Sequence, residues 1–191
     1  MTPETVLSIC LGIGLSASVG FRVFLPLFAL SLAAYFNVWQ LNESWQWVGG
    51  IPALITLGVA TLVEICAYFI PYIDNLLDSI AVPLAAIAGT AVMLSTVADL
   101  SEVTTWALAI IAGGGTAAAI AGTSGTTRLA STATTGGLAN PIVATLETGS
   151  SVVMSTLSIF VPIVAIILAV VILVVIFKFF IRFKTKKKPI G

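Results

Sequence analysis

Histidine is missing altogether. No imidazole is there to act as a general base, to ligate a metal or to complete a Ser-His-Asp triad. Charge is almost as scarce: Asp, Glu, Lys and Arg make up 8% of the 191 residues, where a soluble domain carries about 25%. So little polar surface excludes a water-soluble fold. Cysteine occurs only as Cys10 and Cys66, each in an apolar run; both read as small hydrophobic packers, not as a disulfide or a metal pair. The start of the chain has an acid, Glu4, and no basic stretch, so a cleaved signal peptide is not expected.

What is present is apolar: 59% of residues are hydrophobic and the mean hydropathy is +1.14. At about 20 apolar residues per span, the length admits roughly six transmembrane helices and no soluble catalytic module. The expectation is an all-α polytopic membrane protein. A single bundle covers 1–183 and a basic tail covers 184–191. No enzyme, cofactor, metal centre or nucleic-acid partner is expected.

The few charges are unevenly placed. Six of the eight basic residues are Lys178, Arg182, Lys184, Lys186, Lys187 and Lys188, and no acid follows Glu147. The positive-inside rule therefore puts the C-terminus in the cytoplasm, and a site for anionic lipid headgroups is a secondary reading of the same tail.

In chain order, Thr2-Pro3-Glu4 has the make-up of a helix start: a capping hydroxyl, a first-turn proline and a first-turn acid. The apolar run to Phe36 spans about 50 Å as one helix. Gly20-Phe21-Arg22 and Pro26 interrupt it, which leaves one kinked span or two pieces. Trp39, Trp45 and Trp47 between spans read as an interfacial belt. The next span, 51–70, carries Glu64 and ends at Pro71. Asp74 and Asp78 then share one helical face at i, i+4, ahead of a third span running to Val97. A fourth span from Thr105 leads into Gly113–Pro141, a stretch rich in Gly, Ala, Ser and Thr with one charge, Arg128. It reads as irregular backbone at membrane depth, which survives only if buried or lining a polar cavity. Asn140-Pro141 looks like an N-cap and a first-turn proline. A fifth span with Glu147 breaks at Phe160-Val161-Pro162, before a last span of mostly Val, Ile, Leu and Ala.

The halves echo each other. A Gly-rich helix, Arg22, Val59–Glu64 (Val-Ala-Thr-Leu-Val-Glu) and Phe69-Ile70-Pro71 are matched by a Gly-rich helix, Arg128, Val143–Glu147 (Val-Ala-Thr-Leu-Glu) and Phe160-Val161-Pro162. Chance similarity in so biased a composition is the competing reading. Two three-helix repeats, about 3–98 and 105–183, would have to be inverted, as in transporters whose site lies between the repeats.

Three motifs, Gly14–Leu27 (GLSASVGFRVFLPL), Glu64–Pro83 (EICAYFIPYIDNLLDSIAVP) and Ser131–Pro141 (STATTGGLANP), resemble a family of small bacterial membrane proteins catalogued as domain of unknown function 4126. The resemblance covers nearly all of the chain except the tail. It implies a helical bundle in a bacterial inner membrane but supplies no activity. The repeated three-helix plan is also similar to that of trimeric intracellular cation channels, an architectural analogy only.

Arg22 and Arg128 are the only basic residues before the tail. Each either holds an anion or carboxylate, or snorkels, or pairs with Glu64 and Glu147. Those glutamates are alternatively free acids that carry protons or a cation. Asp74 and Asp78 are a thin cation site or simply a solvated face. Thr126 and Thr127 line a pore or bond their own backbone. The functional expectation is a channel or small transporter for an ion or small polar solute, embedded in the lipid bilayer as a homo-oligomer. The alternative is a non-transporting protein that binds lipid or a partner complex.

Overall fold

The computed structural model describes residues 2–98 and 100–185. Lys186, Lys187 and Lys188 of the basic tail lie outside the described residues. Among the described residues there are eight α-helices: α1 (Pro3–Val19), α2 (Phe24–Tyr35), α3 (Ile51–Ala67), α4 (Pro71–Thr96), α5 (Glu102–Leu108), α6 (Gly115–Thr135), α7 (Asn140–Phe160) and α8 (Pro162–Thr185). A 3₁₀ turn, Glu43–Gly49, precedes α3, and a π-helical segment, Ala109–Gly114, joins α5 to α6. No strand occurs among the described residues.

Local sequence accounts for the boundaries. The Thr2 hydroxyl accepts from the Thr5 amide and caps α1, with Pro3 and Glu4 in the first turn. Proline opens α4 and α8, at Pro71 and Pro162, where its missing N–H costs nothing. Gly136 and Gly137 end α6 with φ of 63° and 86°, a conformation that favours glycine.

The apolar run to Phe36 breaks into two helices and turns back on itself. α1 runs antiparallel to α7. A side chain on Gly14 would strike Ser158, the Ser18 hydroxyl lies 2.9 and 2.7 Å from those of Ser151 and Ser155, and Arg22 reaches Ala144 and Thr148. α2 then returns toward the end where α1 began. Just beyond it, the Trp39 indole donates to the Ile159 carbonyl and the Asn42 amide to the Ser95 carbonyl. α1 and α2 therefore form a helical hairpin whose tip, Gly20–Val23, lies inside the bundle.

This hairpin lowers the expected span count. Among the described residues, four helical segments are long and apolar enough to cross a membrane, or five if the bent pair Glu43–Gly49 and Ile51–Ala67 is one span; α1 and α2, with 17 and 12 residues, are shorter. The start of α1 and the end of α8 lie at opposite ends of the bundle, because α8 runs from Ala165 beside Gly14 to Ile172 and Ile176 beside Val143 and Leu146.

Gly113–Pro141 is not irregular. Glu102–Thr135 is a continuous helical stretch of 34 residues, and only the four residues after it leave helical geometry. The threonine hydroxyls of Thr123, Thr126, Thr127, Thr134 and Thr135 donate to carbonyls four residues back. The helix ladder pairs the backbone and these bonds pair the hydroxyls, as a lipid environment demands. The glycines serve close packing instead: a Cβ on Gly113 would sit 2.6 Å from the Gly89 carbonyl oxygen of α4, so the two backbones meet directly. Asp74 and Asp78 belong to α4 itself, which runs unbroken through Pro83.

The core is centred on α1, where Leu11, Leu15 and Val19 pack with Ala85, Val92 and Ala117. Trp45 and Trp47 stack at 6.2 Å near the end of the bundle that holds Asn42 and Trp106. Cys10 is buried, Cys66 is on the outer face, and both are free.

Candidate functional site

Three helices each carry a charged residue seven positions from their end at one side of the bundle: Asp78 after Pro71, Arg128 before Thr135, and Glu147 after Asn140. At 1.5 Å per residue this puts all three about 10 Å inside the bundle end. The hairpin tip brings Arg22 to the same level from the opposite side. Arg22 and Arg128 are 1% and 2% exposed, which excludes snorkelling to water for both.

The two guanidiniums share one carboxylate. Arg128 donates to Glu147 through Nε, 3.3 Å from Oε1, and through Nη2 to Oε2. Such two-pronged pairing is the stronger form of ion pair. Arg22 places Nη1 3.5 Å from Glu147 Oε2, and donates from Nη2 to the Ala144 carbonyl at 2.9 Å and from Nε to the Thr148 hydroxyl at 3.0 Å. Both guanidiniums also lie over the Tyr68 ring, 3.9 and 4.1 Å from its centroid. Cations over a desolvated aromatic face gain electrostatic stabilisation.

The sequence led to one acid for each arginine, Glu64 for Arg22 and Glu147 for Arg128. The structure gives Glu147 to both. Glu64 instead accepts from the Val23 and Phe24 amides at 2.8 and 3.0 Å. It caps α2 from another helix, supplying the acceptor that Val23, without a capping side chain, cannot. Asp74 and Asp78 face Arg128 at 3.9 and 3.7 Å, so they belong to the same cluster. Thr126 and Thr127 do not: both are exposed and spend their hydroxyls on the carbonyls of Gly122 and Thr123.

Asn140 is buried and does not cap α7. Its amide donates to Asp74 Oδ2 at 3.1 Å and to the Thr132 hydroxyl at 3.2 Å. Tyr68, Asn140 and Thr148 are thus members that the sequence reading missed. For Tyr68 a signal existed: it stands four residues after Glu64, on the same helical face, at a point where the chain is otherwise apolar.

A cavity of about 20 Å³ adjoins the cluster, lined by Gly20, Tyr68, Asp78, Ser124, Arg128 and Glu147 among others. That is room for one water molecule or a bare ion, not for an organic solute. Among the described residues, no three Asp, Glu or Cys side chains stand close enough together to hold a metal ion.

Apolar helices of spanning length around a buried cluster of arginines and carboxylates define a helical-bundle membrane protein. The chain belongs to the family described as Domain of unknown function (DUF4126), which it matches over residues 9–182. No curated protein and no solved structure matches it.

Proposed function

We propose that the chain is a channel or small transporter that passes a small ion through the buried cluster of Arg22, Arg128, Glu147, Asp74 and Asp78. The observation that carries this reading is the burial of so many ionisable groups against a cavity of one-ion size. Charges inside a membrane protein are expensive and serve paths or relays by default. A cluster built only for stability is a poor explanation, because apolar residues of equal volume stabilise a buried site as well or better.

The repeat deepens this reading. α3 and α7, which carry the matched Glu64 and Glu147, run in opposite senses through the bundle, as do α4 and α8. That is the relation expected of inverted halves for those two pairs, whereas α1, which leads to Arg22, and α6, which carries the matched Arg128, run in the same sense. In this proposal the protein lies in a bacterial inner membrane with its C-terminus in the cytoplasm, and the small-residue faces bring copies together as a homo-oligomer. A second reading, lipid binding without transport, draws on the apolar groove of about 650 Å³ between α6 and α8, lined by Ala118, Ala119, Gly122 and Leu173.

Purified protein in liposomes, assayed for cation, anion and proton flux, tests the proposal. Flux above empty liposomes, lost in Arg128→Ala and Glu147→Gln variants that remain folded, is the expected result. Absence of flux for every ion, with lipid co-purifying, selects the second reading.

A further inference from the structure

Among the described residues, five buried polar side-chain atoms have no hydrogen-bond partner: Arg22 Nη1, Arg128 Nη1, Asp74 Oδ1, Ser131 Oγ and Asn140 Oδ1. The two guanidinium nitrogens are still within ion-pair range of a carboxylate, 3.5 Å from Glu147 and 3.9 Å from Asp74. Asp74 Oδ1 belongs to that same carboxylate, whose other oxygen faces Arg128; Asn140 Oδ1 and Ser131 Oγ have no such compensation. The three oxygens come from three different helices at one junction. Asp74 of α4 and Asn140 of α7 are joined by the 3.1 Å amide contact. Ser131 of α6 stands beside Thr132, which accepts from the same amide, and one helical turn beyond Arg128. Asp74 is 1%, Asn140 4% and Ser131 9% exposed.

We infer that Asp74 Oδ1, Asn140 Oδ1 and Ser131 Oγ form a binding site for a small monovalent cation. Unpartnered buried oxygens each cost free energy, and a cation held between them would relieve that cost. Charge balance supports a cation over a neutral water. The cluster brings the carboxylates of Glu64, Asp74, Asp78 and Glu147 around two guanidiniums, Arg22 and Arg128. One of those carboxylates, Glu64, is offset by two amides at the α2 N-terminus. That leaves three carboxylates for two guanidiniums, one negative charge more than the arginines supply. A divalent ion would demand more carboxylate oxygens than one aspartate offers. The site rests on the transport reading only for its purpose, not for its existence.

The test is thermal unfolding of the full-length protein in neutral detergent, in sodium, potassium or choline chloride at matched ionic strength. A ligand that binds only the folded state raises the midpoint in a concentration-dependent way. The expected result is a saturable rise of a few degrees in sodium or potassium over choline, lost in Asn140→Leu and reduced in Ser131→Ala, and kept in Thr126→Ala. Equal midpoints in all three salts, or a rise that survives Asn140→Leu and Ser131→Ala, overturns the site. Should Asn140→Leu fail to fold, the milder Ser131→Ala decides. Cation-dependent stabilisation without liposome flux would leave the site standing and sink the transport reading, while flux without stabilisation would do the reverse.

Discussion

Arg22 and Arg128 are the same residue in echoed positions, yet the chain delivers them in different ways. Arg128 lies in the middle of a long helix, and its side chain finds carboxylates on both neighbours, α4 and α7. Arg22 sits at the tip of a hairpin and uses mostly neutral acceptors, the Ala144 carbonyl and the Thr148 hydroxyl. One guanidinium is held by charge and the other by backbone geometry. The shared Glu147 couples them. A buried arginine in this fold therefore has two routes to satisfaction, and only the first leaves a trace in the pattern of charged residues.

Substitutions at five positions break or sharpen that contrast. The largest effect is expected from Glu147→Ala, which strips the carboxylate from both arginines at once. Loss of one partner of a buried pair costs about 3–5 kcal/mol, read as a drop in the unfolding free energy in detergent. Arg128→Ala comes next, at about 3 kcal/mol, because it strands Asp74 and Asp78 as well as Glu147. Glu64→Ala removes the cap on α2 and is expected to cost about 1 kcal/mol, with Glu64→Gln costing less; faster hydrogen exchange at the Val23 and Phe24 amides is the local readout. Thr126→Ala is expected to change stability by no more than about 0.5 kcal/mol, since the hydroxyl bonds only its own helix. If Arg22→Ala proved more damaging than Arg128→Ala, the contrast between the two arginines would be reversed.

Much of the fold was legible in composition and punctuation. Prolines marked the ends of α3 and α7, and scarcity of charge marked the membrane class. The three motifs that carried the family resemblance hold most of the buried cluster: Arg22, Glu64, Tyr68, Asp74, Asp78 and Asn140. Two features were not legible. The hairpin was hidden because α1 and α2 are both apolar, and periodicity alone says nothing of whether a broken helix continues or doubles back. The helicity of Gly113–Thr135 was hidden because its glycines, serines and threonines have poor intrinsic propensity for helix; its alanines, the best helix formers, and close contact with α4 outweigh them. Asn140 read as a cap because the local pattern fits one, while a tertiary partner, Asp74, took its amide.

The whole account depends on α1 and α2 returning to the side they came from, since only then does Arg22 reach the cluster from within. Thiol labelling tests this most directly. In a background with Cys10 and Cys66 replaced by serine, single cysteines at Thr2, Asn37 and Leu138 are treated with a membrane-impermeant reagent in vesicles of known orientation. The account predicts that Thr2→Cys and Asn37→Cys react from the same side and Leu138→Cys from the other. Labelling of Thr2→Cys and Asn37→Cys from opposite sides would make the run a single crossing helix and contradict the hairpin.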